Sequence, residues 1–108
     1  NLISLTDFQY LAEQILEICK RYQVPCILHT YVNVAEKLHH PYIHLPIFLL
    51  EKYEGKLGGF RQIGSSVHSV EDALKAESLG ADYIFIQLTV KKDFHPEDWN
   101  FWRMSVKQ

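Results

Sequence analysis

The chain has 108 residues, 47% of them hydrophobic and 22% charged, which is the balance of one small globular domain with one core rather than a disordered tail. A formal charge of -2 leaves no basic field, so nucleic acid is not an expected partner. No apolar run approaches the roughly 20 residues that cross a bilayer, so a membrane partner is not expected either.

The opening Asn1-Leu2-Ile3-Ser4 lacks the basic and long apolar regions of a signal peptide and lacks an initiator Met. The expectation is a cytoplasmic chain that is either processed or a piece of something longer. Cys19 and Cys26 are too few, and too casually spaced, for a disulfide scaffold or a zinc site.

Thr6, with Gln9 three residues on, has the form of a capping box and predicts the start of a first helix. Phe8, Leu11, Ile15, Ile18 and Tyr22 then recur at steps of three and four and make one apolar face. The run Val24-Pro25-Cys26-Ile27-Leu28-His29 reads as a first strand with Pro at its entrance. Val32 to Leu38 carries Val34, Ala35 and Leu38 at helical spacing, and Pro41 to Leu45 reads as a second strand. Pro46 fits the first turn of a third helix, with Phe48, Leu49 and Leu50 following. Beyond a glycine-marked loop, Gln62 to Val67 is a third strand. Ser69, with Asp72 three positions later, caps a helix expected to bury Val70, Ala73 and Leu74 and to end at Gly80. Tyr83-Ile84-Phe85-Ile86 is the fourth strand.

Short apolar strands separated by helices pair in parallel, because each crossover returns the chain to the same end. The fold class is therefore α/β, either a small open sheet or part of a barrel, since an eight-stranded barrel needs about 200 residues or more.

Chemistry in parallel α/β folds gathers at the carboxyl ends of the strands. Here those ends carry His29, Thr30, His44, Ser65, Ser66, His68 and Gln87. Three histidines near successive strand ends raise a metal site, but no carboxylate or supporting pattern accompanies them, and none is expected. His39 and His40 close a short helix and are read as structural. Gly64-Ser65-Ser66-Val67-His68-Ser69 joins a strand to a helix N-terminus through small and hydroxyl residues, an arrangement that suits phosphate. Spacing alone leaves open whether these serines bind an anion or only cap the helix.

The stretch Ile63-Gly64-Ser65-Ser66-Val67-His68-Ser69-Val70-Glu71-Asp72-Ala73, leading through Leu79-Gly80-Ala81-Asp82-Tyr83, closely resembles the thiamine phosphate synthase / TenI family. That family has a Gly-x-Ser-x-His segment leading into a helix that ends in Gly-Ala-Asp-Tyr. The resemblance runs from about Leu5 to Phe85. Leu28-His29-Thr30-Tyr31-Val32-Asn33 sits where the family has an Asn-Asp segment, and Tyr42-Ile43-His44-Leu45 where it has Gly-Val-His-Leu.

The resemblance implies an eight-stranded βα barrel, of which residues 1–87 would form a partial TIM-type barrel with about four parallel strands. It implies an activity in thiamine biosynthesis: the synthase joins a pyrimidine diphosphate to a thiazole phosphate with Mg²⁺, and TenI-like members isomerise the thiazole phosphate. It further implies that Ser66 contacts phosphate or diphosphate and that His44 lines the pocket. Ser65 and His68, in the same segment, are the accompanying candidates for binding thiazole phosphate or a related small phosphorylated ligand.

Departures accompany the resemblance. The family's Asn-Asp pair is His29-Thr30 here, and its second acidic metal position falls near Leu49. Without those carboxylates Mg²⁺ loses the oxygen ligands that a hard cation requires, so no cofactor is expected. Leu45-Pro46 and Val67-His68-Ser69 are closer to the TenI branch. The histidine that would move a proton on the thiazole is replaced in the region of Gln87 and Leu88, so the isolated chain is expected to be inactive.

Residues 88–108 form a divergent tail. Read one frame out, Asp98 into Trp99 must give Leu, Trp99 into Asn100 must give Glu, and Phe101 into Trp102 must give Leu. These match the family's Leu-Glu-Phe-Leu in order, and a frameshift is the expected origin; codons that cannot yield the motif in any frame would refute it. Trp99, Phe101 and Trp102 are then accidental rather than a ligand platform. The alternatives to an enzyme are a non-catalytic remnant that binds a phosphorylated molecule near Ser66, and an interaction module that covers its open edges as a homo-oligomer.

Overall fold

The computed structural model describes residues 3–86, so the expectations placed on Gln87, Leu88 and the tail 88–108 lie outside the described residues. Four helices and four strands alternate: α1 (Leu5–Arg21), β1 (Leu28–His29), α2 (Val32–Lys37), β2 (Tyr42–Pro46), α3 (Ile47–Lys52), β3 (Gln62–Val67), α4 (Val70–Ser78) and β4 (Tyr83–Ile86). All three strand pairs are parallel, and the sheet order is β1-β2-β3-β4.

That order decides the architecture. A doubly wound sheet reverses direction to place helices on both faces. Here each crossover steps the same way, and with the right-handed connection that parallel strands adopt, the helices gather on one face and the other is left for an interior. The described residues therefore form an arc of a TIM-type α/β barrel wall.

Alternation along each strand divides the residues between the two faces. Leu28, Ile43, Leu45 and Val67 turn toward the helices and join Val32, Ala35, Leu50, Leu57 and Ala76 in one buried core. Ile43, Leu45 and Leu50 are fully enclosed. Lys75 Nζ reaches Glu51 Oε1 at 3.0 Å, linking α4 to α3; both side chains are about half exposed, so the pair contributes little.

Several boundaries differ from those read in the sequence. Ser4, not Thr6, caps α1: its extended backbone lets Oγ accept from the Asp7 amide at 3.0 Å. Thr6 lies inside the helix, and Gln9 bonds forward to Glu13. The first strand contracts to Leu28–His29, because only these two residues register with Ile43 and His44 of β2. Pro46 ends β2 and caps α3 rather than entering it.

The cap of α4 is as read, with Ser69 Oγ accepting from the Asp72 amide at 3.1 Å. Gly80, at φ +93°, ends it in the left-handed conformation that glycine adopts without penalty. Its burial is only partly as read: Ala73 packs against the core, but Val70 and Leu74 are exposed and Ala76 is the residue fully enclosed. The reason is position in the arc. Among the described residues α4 has a neighbouring helix on one side only, so half of its apolar stripe meets no partner. At the opposite end Leu11, Ile15 and Ile18 of α1 are likewise exposed.

Leu50 and Ile15 test this division. Leu50→Ala should lower unfolding stability by about 2–5 kcal/mol through the cavity it leaves. Ile15→Ser should change it by no more than about 0.5 kcal/mol. Urea unfolding monitored by circular dichroism reads both.

Candidate functional site

The face turned away from the helices carries polar groups in two rows. The parallel register aligns His29 with His44, His44 with Gly64, and Gly64 with Tyr83. One step toward the carboxyl ends, Pro46 aligns with Ser66 and Ser66 with Phe85. Members of a row share a face, so these side chains converge on one surface.

Gly64 is the gap that lets them meet. A Cβ there would collide with the Tyr83 ring, which lies over the bare backbone of β3 and so reaches β2. The Tyr83 hydroxyl stands 3.2 Å from His44 Nδ1. On the other side of the ring, His44 Nε2 is 2.7 Å from Ser66 Oγ. Phe85 meets the same imidazole edge-on at 5.7 Å between centroids, and His29 lies 5.0 Å away. One histidine thus joins three strands.

Both ring nitrogens of His44 are engaged, and the imidazole and the Ser66 side chain are buried. A neutral imidazole has one donor and one acceptor, and each hydroxyl can play either part. The network is therefore satisfied in two senses: Ser66 donating to Nε2 while Nδ1–H donates to Tyr83, or the reverse. Burial lowers the His44 pKa below the ordinary 6.5, and the charge of neighbouring His29 lowers it further. Burial also raises the Tyr83 pKa above the ordinary 10.0. The result is a relay of neutral groups able to pass a proton without creating a buried charge.

Strain marks the adjoining strand end. Thr30 sits at φ +74°, a conformation that β-branched residues avoid. Its amide donates to the His44 carbonyl at 2.9 Å and its hydroxyl pairs with His29 Nδ1. Such outliers cluster where a site must be held in place.

The candidates from the sequence separate. Ser66 and His44 are in direct contact. Ser65 is on the opposite face, in register with Leu45 and Ile84, fully buried, and its Oγ has no hydrogen-bond partner among the described residues. His68 is exposed beyond β3, where its amide donates to Asp72 Oδ2 at 3.1 Å. That carboxylate and the Ser69 hydroxyl already serve two donors at the start of α4, leaving fewer of them for an anion. Tyr83 was visible in the sequence only as the end of a motif. The signal for its role is the register of a glycine between two aromatic-bearing strands.

The positions of the family's metal carboxylates present none here. Thr30 pairs with His29, and Leu49 is packed against the core. Among the described residues no three His, Cys, Asp or Glu side chains group closely enough to hold a metal ion. No described helix is long and apolar enough to cross a membrane.

A family model described as thiamine monophosphate synthase matches residues 3–106. The chain belongs to the thiamine monophosphate synthase family. Among curated relatives, it is 36% identical over 87 residues to the thiamine-phosphate synthase of Caldanaerobacter subterraneus subsp. tengcongensis, covering 76% of this chain and 39% of that protein. It is 33% identical over 87 residues to that of Clostridium novyi, covering 76% and 41%, and 34% identical over 84 residues to that of Fusobacterium nucleatum, covering 76% and 41%. The chain thus spans about two fifths of the length of the relatives it matches. No solved structure gives a significant match. The parallel, singly wound arc is the fold expected of a thiamine monophosphate synthase family member.

The lowered His44 pKa makes a pH prediction. Between its folded value and the ordinary 6.5, the unfolded chain binds more protons than the folded one, so stability rises with pH across that window. The His44 contribution is fully present above 6.5 and is lost as pH falls through the folded value. Urea unfolding at a series of pH values should show this slope, and His44→Asn should flatten it.

Proposed function

We propose that the chain handles a phosphorylated small molecule of the thiazole phosphate type on the inner face of the sheet, at the carboxyl end of β3. The observation that carries the reading is the 2.7 Å contact between Ser66 Oγ and His44 Nε2. These are the two residues that the family resemblance associates with the phosphate pocket, and they meet on the face a barrel encloses. The relatives' name, thiamine-phosphate synthase, is the reason for preferring a phosphorylated thiazole over other anions.

Binding without turnover is the form of the proposal. His29, Thr30 and Leu49 occupy the positions of the family's Asn-Asp pair and second acid, so these positions offer Mg²⁺ no carboxylate, and no step is assigned to the metal. His44 supplies a neutral imidazole that accepts or donates a proton at Nε2. Ser66 supplies a hydroxyl that can turn from the imidazole to a phosphate oxygen. Tyr83, on the far side of the ring, holds the imidazole plane in place.

Calorimetric titration tests this. Saturable binding of a thiazole phosphate is expected at up to millimolar concentrations, with none for the unphosphorylated thiazole. Ser66→Ala should weaken it by about tenfold, the worth of one hydrogen bond to a charged group. Absence of saturation at millimolar ligand, or equal binding by Ser66→Ala, contradicts the reading.

A further inference from the structure

Among the described residues β1 and β4 are the two edges of the sheet, and the helix beside each edge has an apolar flank with nothing against it. On α4, Lys75 reaches Glu51 of α3, which marks the flank turned into the arc, while Ala73 and Ala76 pack against the core. Val70, Leu74 and Glu77, at steps of four and three, share the opposite flank, and all three are exposed. On α1, Ala12 and Leu16 pack against the core. The turn of the helix then sets Leu11, Ile15 and Ile18 on the flank away from α2, again exposed. Ile84 and Ile86 of β4 turn toward the helix layer, in register with Ser65 and Val67. They stay 40% and 44% exposed, since no described helix lies over them.

These two ends are complementary rather than alike. One presents a strand face lacking a helix, and the other presents a helix, α1, that reaches beyond its own strand. Each helix returns antiparallel to the strands, so α1 and α4 run the same way and their last turns lie at the same end of the sheet. Arg21 is in the last turn of α1, next to Ile18, and Glu77 is in the last turn of α4, next to Leu74. Both are exposed and their charges are opposite.

We propose that the two ends meet in a second copy of this chain. In that dimer α1 of each copy covers Ile84 and Ile86 of the other, and β1 of each pairs in parallel with β4 of the other, at two identical junctions related by a two-fold axis. Four strands from each copy supply the eight of a closed barrel, and closure leaves no edge for a third copy. The seven apolar side chains at the two ends are between 40% and 64% exposed in one copy. Covering them in both buries on the order of 1,000 Å² of surface, about where specific interfaces begin. An interface of that size corresponds to a dissociation constant in the micromolar range. In the dissociated chain Ile15 is exposed, so its substitution acts on association and not on the fold of a single copy. The pairing stands apart from the phosphate reading, although closure would enclose the inner face that carries His44 and Ser66.

Sedimentation equilibrium of the 108-residue chain, without ligand, tests the proposal. The mass should rise with concentration from 12.7 kDa to twice that value and no further. Leu74→Asp should weaken association at least about tenfold. Arg21→Glu and Glu77→Arg should each weaken it by about tenfold, because each sets like charges together at both junctions, and the double variant should recover it. All three positions are exposed, so the variants keep the fold, which circular dichroism verifies. Amide hydrogen exchange at Leu28–His29 and Tyr83–Ile86 should slow in the dimer as the edge strands become paired. A monomer at every concentration, the result if residues 87–108 cover the ends of their own chain, would overturn the proposal. So would growth beyond the dimer, unprotected strand edges, or a dimer indifferent to Leu74→Asp and to the charge exchange.

Discussion

An imidazole with a hydroxyl on each side organises the inner face of this sheet. His44 links β2 to β3 through Ser66 and to β4 through Tyr83, and each of these groups would be costly to enclose alone. A buried polar side chain without a partner costs on the order of 1–3 kcal/mol. Satisfied on both sides, His44 becomes a cross-strand tie rather than a liability. The arrangement depends on Gly64 having no side chain, since any Cβ there would occupy the space the Tyr83 ring needs.

The two faces of the sheet obey different constraints. Toward the helices, Ile43, Leu45 and Val67 provide apolar burial in which a hydroxyl finds no partner, and Ser65 shows the consequence. Away from them, hydroxyls and imidazoles find one another. Adjacent serines in one segment thus live in opposite environments, and of the two only Ser66 lies on the inner face. Thr30 adds a strained backbone at the neighbouring strand end and donates its amide to the His44 carbonyl. The site is held by backbone as well as side chains.

Much of this was legible in the residues. The strands β3 and β4 and the helix between them follow from their apolar runs, the Ser69 cap and the Gly80 stop, each a local signal. The parallel α/β class follows from the alternation of elements. Exposure at the ends of the arc was not legible: Val70 and Leu74 have the spacing of a buried stripe, and only the position of α4 beside an open edge leaves them exposed. Thr6 had the spacing of a cap and lost to Ser4, whose backbone is extended where the helix begins. The separation of Ser65 from Ser66 needs strand register, and the reach of Tyr83 needs a neighbouring strand's glycine. Family membership was legible from one segment because its glycine, serine and helix-stop residues fix a strand, a turn and a helix end together.

A double-mutant cycle on Ser66→Ala and Tyr83→Phe, followed by urea unfolding, addresses the tie most directly. The two hydroxyls lie on different strands and are connected through one imidazole whose tautomer each biases. Non-additivity of at least about 0.5 kcal/mol is expected from such a shared partner. Additive losses, within about 0.3 kcal/mol, would mean that the two hydroxyls act independently and that His44 does not unite the three strands.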